Sequence, residues 1–231
     1  MKKIEYRLVS NGIAVSYWKG EGAGSILFCP GLPQYVSFYH PFIDVFLDLG
    51  FSVFAPKYAG TWESEGLFTI AGSAVAVNET LDLIKKGKTI EQFNQDEVIF
   101  TNGKIFLLGF SYGAIPALLS RRKVDKLVLL SPFTVEGKIG IDEMEKTLTF
   151  LDRAYKNVYR FDQNTVMNEL QNISFPQRKE KILVVWGVTD SVIPPGQAKK
   201  LAERYQAEYL ELPVGHTANL SEEQYKAILS L

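Results

Sequence analysis

The chain has 231 residues, enough for one sizeable domain, and its 46% hydrophobic and 22% charged residues exclude a largely disordered polymer. A formal net charge of −1 offers no basic excess for neutralising phosphates, so no nucleic-acid partner is expected. Apolar runs such as Ile182 to Trp186 fall far short of the ~20 residues of a membrane-spanning helix.

Met1-Lys2-Lys3 has the basic character of a signal-peptide start, but Glu5, Arg7, Ser10 and Asn11 interrupt any apolar core behind it. Cys29 is the single cysteine and has no internal disulfide partner. The default expectation is therefore a cytoplasmic protein. One cysteine and two histidines also argue against a dedicated zinc cage, and no metal is expected.

In chain order, Ile13 to Trp18 alternates apolar and polar residues, as a half-buried edge strand does. Ser25 to Cys29 is more continuously apolar and reads as an inner strand of a parallel sheet. Phe38-Tyr39-His40-Pro41 opens a helix, and Phe51 to Ala55 is the next inner strand. Ala74, Val77, Leu81 and Ile84 recur at helical spacing, with Gly87 as the stop. Lys104 to Phe110 is again a strand, followed by a helix over Tyr112 to Ser120 that tolerates Pro116 only near its first turn. Lys126 to Leu130 is a strand.

From Thr134 to about Lys181 the alternation stops. Ile141, Met144, Leu148, Leu151 and Tyr155 make one apolar helical face, with Asp142 and Glu145 as a candidate N-terminal cap, and Asn164 starts a second helix through Leu170. The segment reads as a small helical cap; two ordinary helices packed on the sheet are the alternative. The alternation then resumes with strand Ile182 to Trp186, helix Gln197 to Tyr205, strand Tyr209 to Leu212 and a last helix over Ser221 to Leu231, where Ser221 and Gln224 have capping-box spacing. The expected fold is α/β: a mostly parallel central sheet with helices on both faces, one domain spanning 1–231, and residues 134–181 as a helical cap inserted in it.

The segment that carries chemistry is Leu108-Gly109-Phe110-Ser111-Tyr112-Gly113-Ala114, a strand running through Gly-x-Ser-x-Gly into a helix. A serine on so tight a turn projects its hydroxyl above the sheet edge, and the small neighbours let the turn close. The helix also aims its first N–H groups at the place where negative charge will develop. The bare pattern is weak; its place between a strand and a helix strengthens it.

At these residues the chain resembles the α/β-hydrolase superfamily, whose triad runs serine, acid, histidine along the chain. Trp186-Gly187-Val188-Thr189-Asp190, with Val192-Ile193-Pro194-Pro195 after it, is similar to that family's acid loop, and Pro213-Val214-Gly215-His216 ends the last strand as its histidine loop does. The resemblance implies Ser111 as nucleophile, His216 as general base and Asp190 as the acid orienting it. For each a blander role exists: a turn serine, a helix-capping aspartate, a surface histidine. His40 and Cys29 read as peripheral and core residues.

The resemblance also places the oxyanion hole at Cys29-Pro30-Gly31-Leu32-Pro33, where Pro30 stands at the usual His of a His-Gly pair. Pro33 has no N–H to donate, which leaves the amide of Leu32, paired with that of Tyr112. A weaker likeness joins Gly60, Ser64 and Gly66 to a Gly- and Ser-containing loop of the family. Tyr35, Tyr58, Trp62 and Phe133, with Tyr155 and Phe161 from the cap, are the candidate substrate contacts, although aromatics at such spacing are more often core.

The implied reaction is acyl transfer on a small, largely apolar acyl substrate with no cofactor, a carboxylic ester by preference. A serine peptidase or aminopeptidase-like amidase on the same triad is the nearest alternative. A non-catalytic ligand-binding module on the same fold is the alternative from another class. The sequence leaves the oligomeric state open.

Overall fold

The apolar runs assemble side by side into one eight-stranded sheet. The computed structural model describes residues 4–33, 38–100, 103–134 and 138–230. Its strands are β1 (Glu5–Ser10), β2 (Ile13–Trp18), β3 (Gly24–Cys29), β4 (Phe51–Pro56), β5 (Lys88–Ile90), β6 (Glu97–Ile99), β7 (Ile105–Phe110), β8 (Lys126–Leu130), β9 (Lys181–Gly187) and β10 (Glu208–Leu212). The helices are α1 (His40–Asp48), α2 (Ile70–Lys86), α3 (Ala114–Leu119), α4 (Lys138–Ala154), α5 (Gln163–Gln171), α6 (Pro195–Tyr205) and α7 (Glu222–Ser230). Across the sheet the order is β1-β2-β4-β3-β7-β8-β9-β10, while β5 and β6 pair separately as a short hairpin. β1 with β2 and β2 with β4 are antiparallel, and every pair from β4 to β10 is parallel.

Alternation along the strands divides the apolar side chains between two layers. Leu27 and Cys29 of β3, Leu107 of β7 and Val184 and Trp186 of β9 face the layer made by α2, α3 and α6. Ile26 and Phe28, Leu108 and Phe110, and Leu183 and Val185 face the layer of α1 and α7, where Phe42, Phe46, Tyr225 and Ile228 close over them. Covering both faces is what lets these strands be apolar throughout.

Local signals set the helix ends. Thr69 accepts from Gly72 N–H at the start of α2, and Gly87 ends it with a left-handed φ of 80°. Ser221 and Gln224 form the expected reciprocal capping box of α7, at 2.8 and 3.2 Å. Pro116 is the third residue of α3, where its missing N–H costs no helical bond.

Several expectations need correction. β2 is not an edge strand: all six of its residues are buried, because β1 pairs along its outer side. α4 starts at Lys138, so Asp142 and Glu145 lie inside it and cannot cap it. The second helix of this segment is capped by Asp162, whose carboxylate accepts from Thr165 N–H at 2.8 Å, one residue upstream of the first helical residue, Gln163.

Between Thr134 and Lys181, α4 and α5 bury Met144, Leu148, Leu151, Val166 and Leu170 in the same cluster as α2 and α3. Backbone bonds stitch residues 158–160 to the loop after β4: Trp62 N–H to Val158 O at 3.0 Å, Phe68 N–H to Arg160 O at 2.7 Å and Arg160 N–H to Gly60 O at 2.8 Å. The Glu169 carboxylate accepts from Ile70 N–H at 2.6 Å, tying α5 to the start of α2. Among the described residues, no helix is long and apolar enough to cross a membrane.

Candidate active site

β7 ends at Phe110, and Ser111 follows it in a single 3-10 turn before α3. Its φ of 52° lies in the left-handed region, which a residue with a Cβ adopts only at a cost of about 1–3 kcal/mol. The sequence permits the turn because its neighbours are glycines. A Cβ at Gly109 would lie 2.7 Å from the Gly113 carbonyl oxygen, and one at Gly113 would overlap the Cys29 carbonyl. From the other side Phe133 N–H bonds the Ser111 carbonyl at 3.0 Å, joining the turn to the loop after β8.

Asp190 sits in the turn after β9, its amide bonded to Gly187 O at 2.9 Å. The carboxylate is fully enclosed. One oxygen accepts from the Val192 and Ile193 amides, both at 2.8 Å, and the other meets His216 Nδ1 at 2.9 Å. His216 Nε2 in turn lies 3.1 Å from Ser111 Oγ. Backbone bonds from Val188 to Leu212 O and from Thr189 to Val214 O hold the acid and histidine loops together. The Phe110 ring lies 5.0 Å from the imidazole.

Burial of the Asp190 carboxyl pushes its pKa up, but the Ile193 amide, the His216 hydrogen bond and charge, and the Val192 amide together outweigh it and hold the group below its ordinary value. An ionised carboxylate only accepts, so Nδ1 carries the proton of neutral His216 and Nε2 is left to accept from the serine hydroxyl. The geometry thus aligns a proton acceptor on Ser111 and a counter-charge behind that acceptor.

The loop after β3 closes the opposite flank. Gly31 packs so near the nucleophile that a Cβ there would stand 3.1 Å from Ser111 Cβ. Leu32 is half-buried beside it, and Tyr112 is the second residue of the turn into α3. Ser111 and His216 open into a cleft of about 330 Å³ walled by Leu32, Tyr39, Phe42, Phe110 and Thr217.

The proposed substrate contacts are scattered. Tyr35 lies outside the described residues. Tyr58 is fully buried, its hydroxyl donating to Pro30 O at 2.8 Å, so it lies beneath the loop and not on the cleft wall. Trp62 is half-buried at the junction with Val158. Phe133, Tyr155 and Phe161 are half-buried against the cluster of α2 to α5, with Phe161 on Phe68 and Tyr155 on Tyr159. His40 is exposed against Trp18. Cys29 is fully buried, which pushes its thiol up and leaves it inert.

Tyr39, Phe42 and Thr217 line the cleft without a local sequence signal for it. A helix after the Pro-Gly loop is legible in the sequence, but that its first turn abuts His216 is a tertiary fact with no local signal.

None of the family models and none of the curated proteins compared with the chain matches it. Solved structures do match along its whole length. An esterase from Pyrococcus furiosus superposes with a TM-score of 0.68 at 16% identity, covering 99% of this chain and 89% of that one. An esterase from Exiguobacterium antarcticum gives 0.65 at 17% identity, with 98% of each chain covered. A serine hydrolase without lid from Xanthomonas campestris gives 0.60 at 12% identity, covering 100% and 93%. The chain has the α/β-hydrolase fold.

Proposed function

We propose that the protein is a serine hydrolase that cleaves a carboxylic ester, or a related acyl bond, of a small and largely apolar substrate. The observation that carries this reading is the unbroken series Asp190–His216–Ser111, with contacts of 2.9 and 3.1 Å, opening into a cleft. Ser111 Oγ attacks the carbonyl carbon while His216 Nε2 takes its proton. The Leu32 and Tyr112 amides receive the negative charge on the carbonyl oxygen, a contribution of about 10²–10³-fold per donor. His216 then returns the proton to the leaving alcohol, and water repeats the sequence on the acyl-enzyme to release the acid. Asp190 fixes the imidazole tautomer and balances the imidazolium.

The cleft supports the substrate class. Its described walls are mostly apolar or aromatic, with Thr217 and Asn219 as polar members, and carry no charged side chain other than His216 when protonated; its volume suits a short acyl or alcohol group. Residues 134–181 are read as a helical cap inserted in a single domain; its apolar side shares the core of α2 and α3, and none of its described residues lines the cleft. Tyr155, Phe161, Trp62 and Phe133 likewise stand outside the cleft, so an influence of theirs on acyl preference would run through the packing behind it.

A fluorophosphonate probe tests the nucleophile, and nitrophenyl esters of rising chain length run beside aminoacyl amides test the bond. Labelling on the Ser111 peptide with preferred turnover of short esters is expected. Faster cleavage of the amides would move the reading to a peptidase. Neither labelling nor turnover would leave a binding module on a hydrolase fold.

A further inference from the structure

We infer that Tyr58 is a positioning residue for acyl transfer, holding the two backbone arms of the oxyanion hole in register through a hydroxyl bonded to the Pro30 carbonyl and a ring packed on Tyr112. The inference rests on the hydrolase reading above and adds to it a residue that touches neither substrate nor the reacting atoms.

The two arms are peptide segments from different parts of the chain, and an amide cannot aim itself. On one arm, Pro30 lies two residues before Leu32, and the Tyr58 hydroxyl donates to its carbonyl at 2.8 Å. On the other arm, the Tyr112 ring stands edge-on to Tyr58 with centroids 5.5 Å apart, and its hydroxyl is 2.8 Å from Ser73 Oγ. Between them the chain is packed to contact. A Cβ at Gly113 would overlap the Cys29 carbonyl and lie 2.8 Å from that of Pro30. The Pro30 carbonyl is therefore held between the first turn of α3 and a phenol.

Chemistry makes this bond matter here. Pro30 and Pro33 contribute no N–H, so the arm has two amides, Gly31 and Leu32. Of these, Leu32 is the amide read as the oxyanion donor. Rotation of the Pro30–Gly31 peptide would carry Leu32 off line; Tyr58 holds the carbonyl end of that same peptide. Burial pushes the Tyr58 phenol well above its ordinary value, so it stays a donor across the working range. Its seat is built by Phe68, whose ring lies 6.5 Å from that of Tyr58 and 5.7 Å from that of Tyr112.

Tyr58→Phe keeps the ring and removes the donor. With a nitrophenyl acetate, kcat is expected to fall roughly 10- to 100-fold, as for displacement of a catalytic group by a fraction of an ångström to about 1 Å. KM should stay within about twofold. The decisive readout is an aryl trifluoromethyl ketone. Ser111 Oγ bonds the ketone carbon, the carbonyl pair moves onto oxygen as an oxyanion, and His216 keeps the proton. Its inhibition constant should weaken by the same factor as kcat, which a merely structural role would not produce. Placing 4-aminophenylalanine at position 58 restores a donor and should recover both quantities. If Tyr58→Phe does not fold, 4-fluorophenylalanine at that position supplies a donor-less ring of nearly the original shape. A folded donor-less variant with unchanged kcat and ketone affinity would overturn the inference, as would impairment that the amino analogue does not relieve. An unsubstituted protein that neither turns over the ester nor binds the ketone would overturn the hydrolase reading and this one together.

Discussion

The two flanks of Ser111 are made of different material. On one side stand side chains, His216 and Asp190, carried on loops after β10 and β9 and linked by directed bonds of 2.9 and 3.1 Å. On the other stand the two backbone amides proposed for the oxyanion hole, Leu32 and Tyr112, which have no side-chain identity and are set among packed glycines, a buried phenol and aromatic rings. The first flank is held by hydrogen bonds of its side chains, and of these only Asp190 is fully enclosed. The second is continuous with the core, so the proposed catalysis and stability are coupled there.

The largest expected effect lies on the side-chain flank. Ser111→Ala should lower kcat by up to about 10⁶-fold, and His216→Gln by a similar factor, with melting temperatures close to that of the unsubstituted protein. Retention of more than a few per cent of activity by Ser111→Ala would sink the nucleophile assignment. Asp190→Asn should cost on the order of 10⁴-fold, because the amide no longer favours the tautomer with Nδ1 protonated. Greater sensitivity at Asp142 or Asp162 than at Asp190, measured as kcat/KM, would break the acid assignment.

Phe68→Ala sharpens the contrast. Phe68 is fully buried between Tyr58, Tyr112, Tyr159 and Phe161, and its loss should destabilise by about 3–5 kcal/mol while depressing all esters alike. Urea melts beside a chain-length panel check both parts; a changed substrate ranking at full stability would contradict it.

The smallest effect concerns pH. The Asp190 carboxyl has a lower pKa in the folded protein than the ~3.9 of an unfolded chain, so its ionisation favours folding. That contribution is complete above about pH 4 and is lost as pH falls through the depressed folded value. The stability gap between the unsubstituted protein and Asp190→Asn, from urea melts at pH 7 and pH 3, should narrow on acidification. A gap that does not change with pH would mean that the carboxylate is not its source.

The difference between the flanks also explains what could be read from residue order. Ser111, Asp190 and His216 stand out in the sequence because their proposed chemistry resides in the side chain and each sits in a loop or turn after a strand, apolar for Ser111 and Asp190 and mixed for His216. The inner strands β3, β4, β7, β8 and β9 are legible because burial on both faces leaves them few polar residues. β1 is hidden in the sequence because Glu5, Arg7 and Val9 alternate with Tyr6 and Leu8, so its charged residues read as interruptions of an apolar run instead of an outward row. The β5–β6 hairpin is short, mostly exposed and carries no turn signal strong enough to stand out. Tyr58 reads from sequence as an aromatic side chain in a loop near the site, whereas its place is set by a bond to a carbonyl 28 residues away, which no local pattern encodes.

β1 has a role that reaches beyond the site. It is the strand that separates β2, with every residue buried, from solvent, and its own outer edge is partly occupied by Gln92 N–H on Arg7 O at 2.9 Å. Without residues 5–10, β2 would present an unpaired row of amides and carbonyls beside Ile13, Val15 and Tyr17, the kind of edge on which a second molecule adds as a further strand. The charged, alternating β1 thus acts as a selvedge: it keeps the sheet from continuing into a neighbouring copy, and its removal would show first as self-association and only later as lost catalysis.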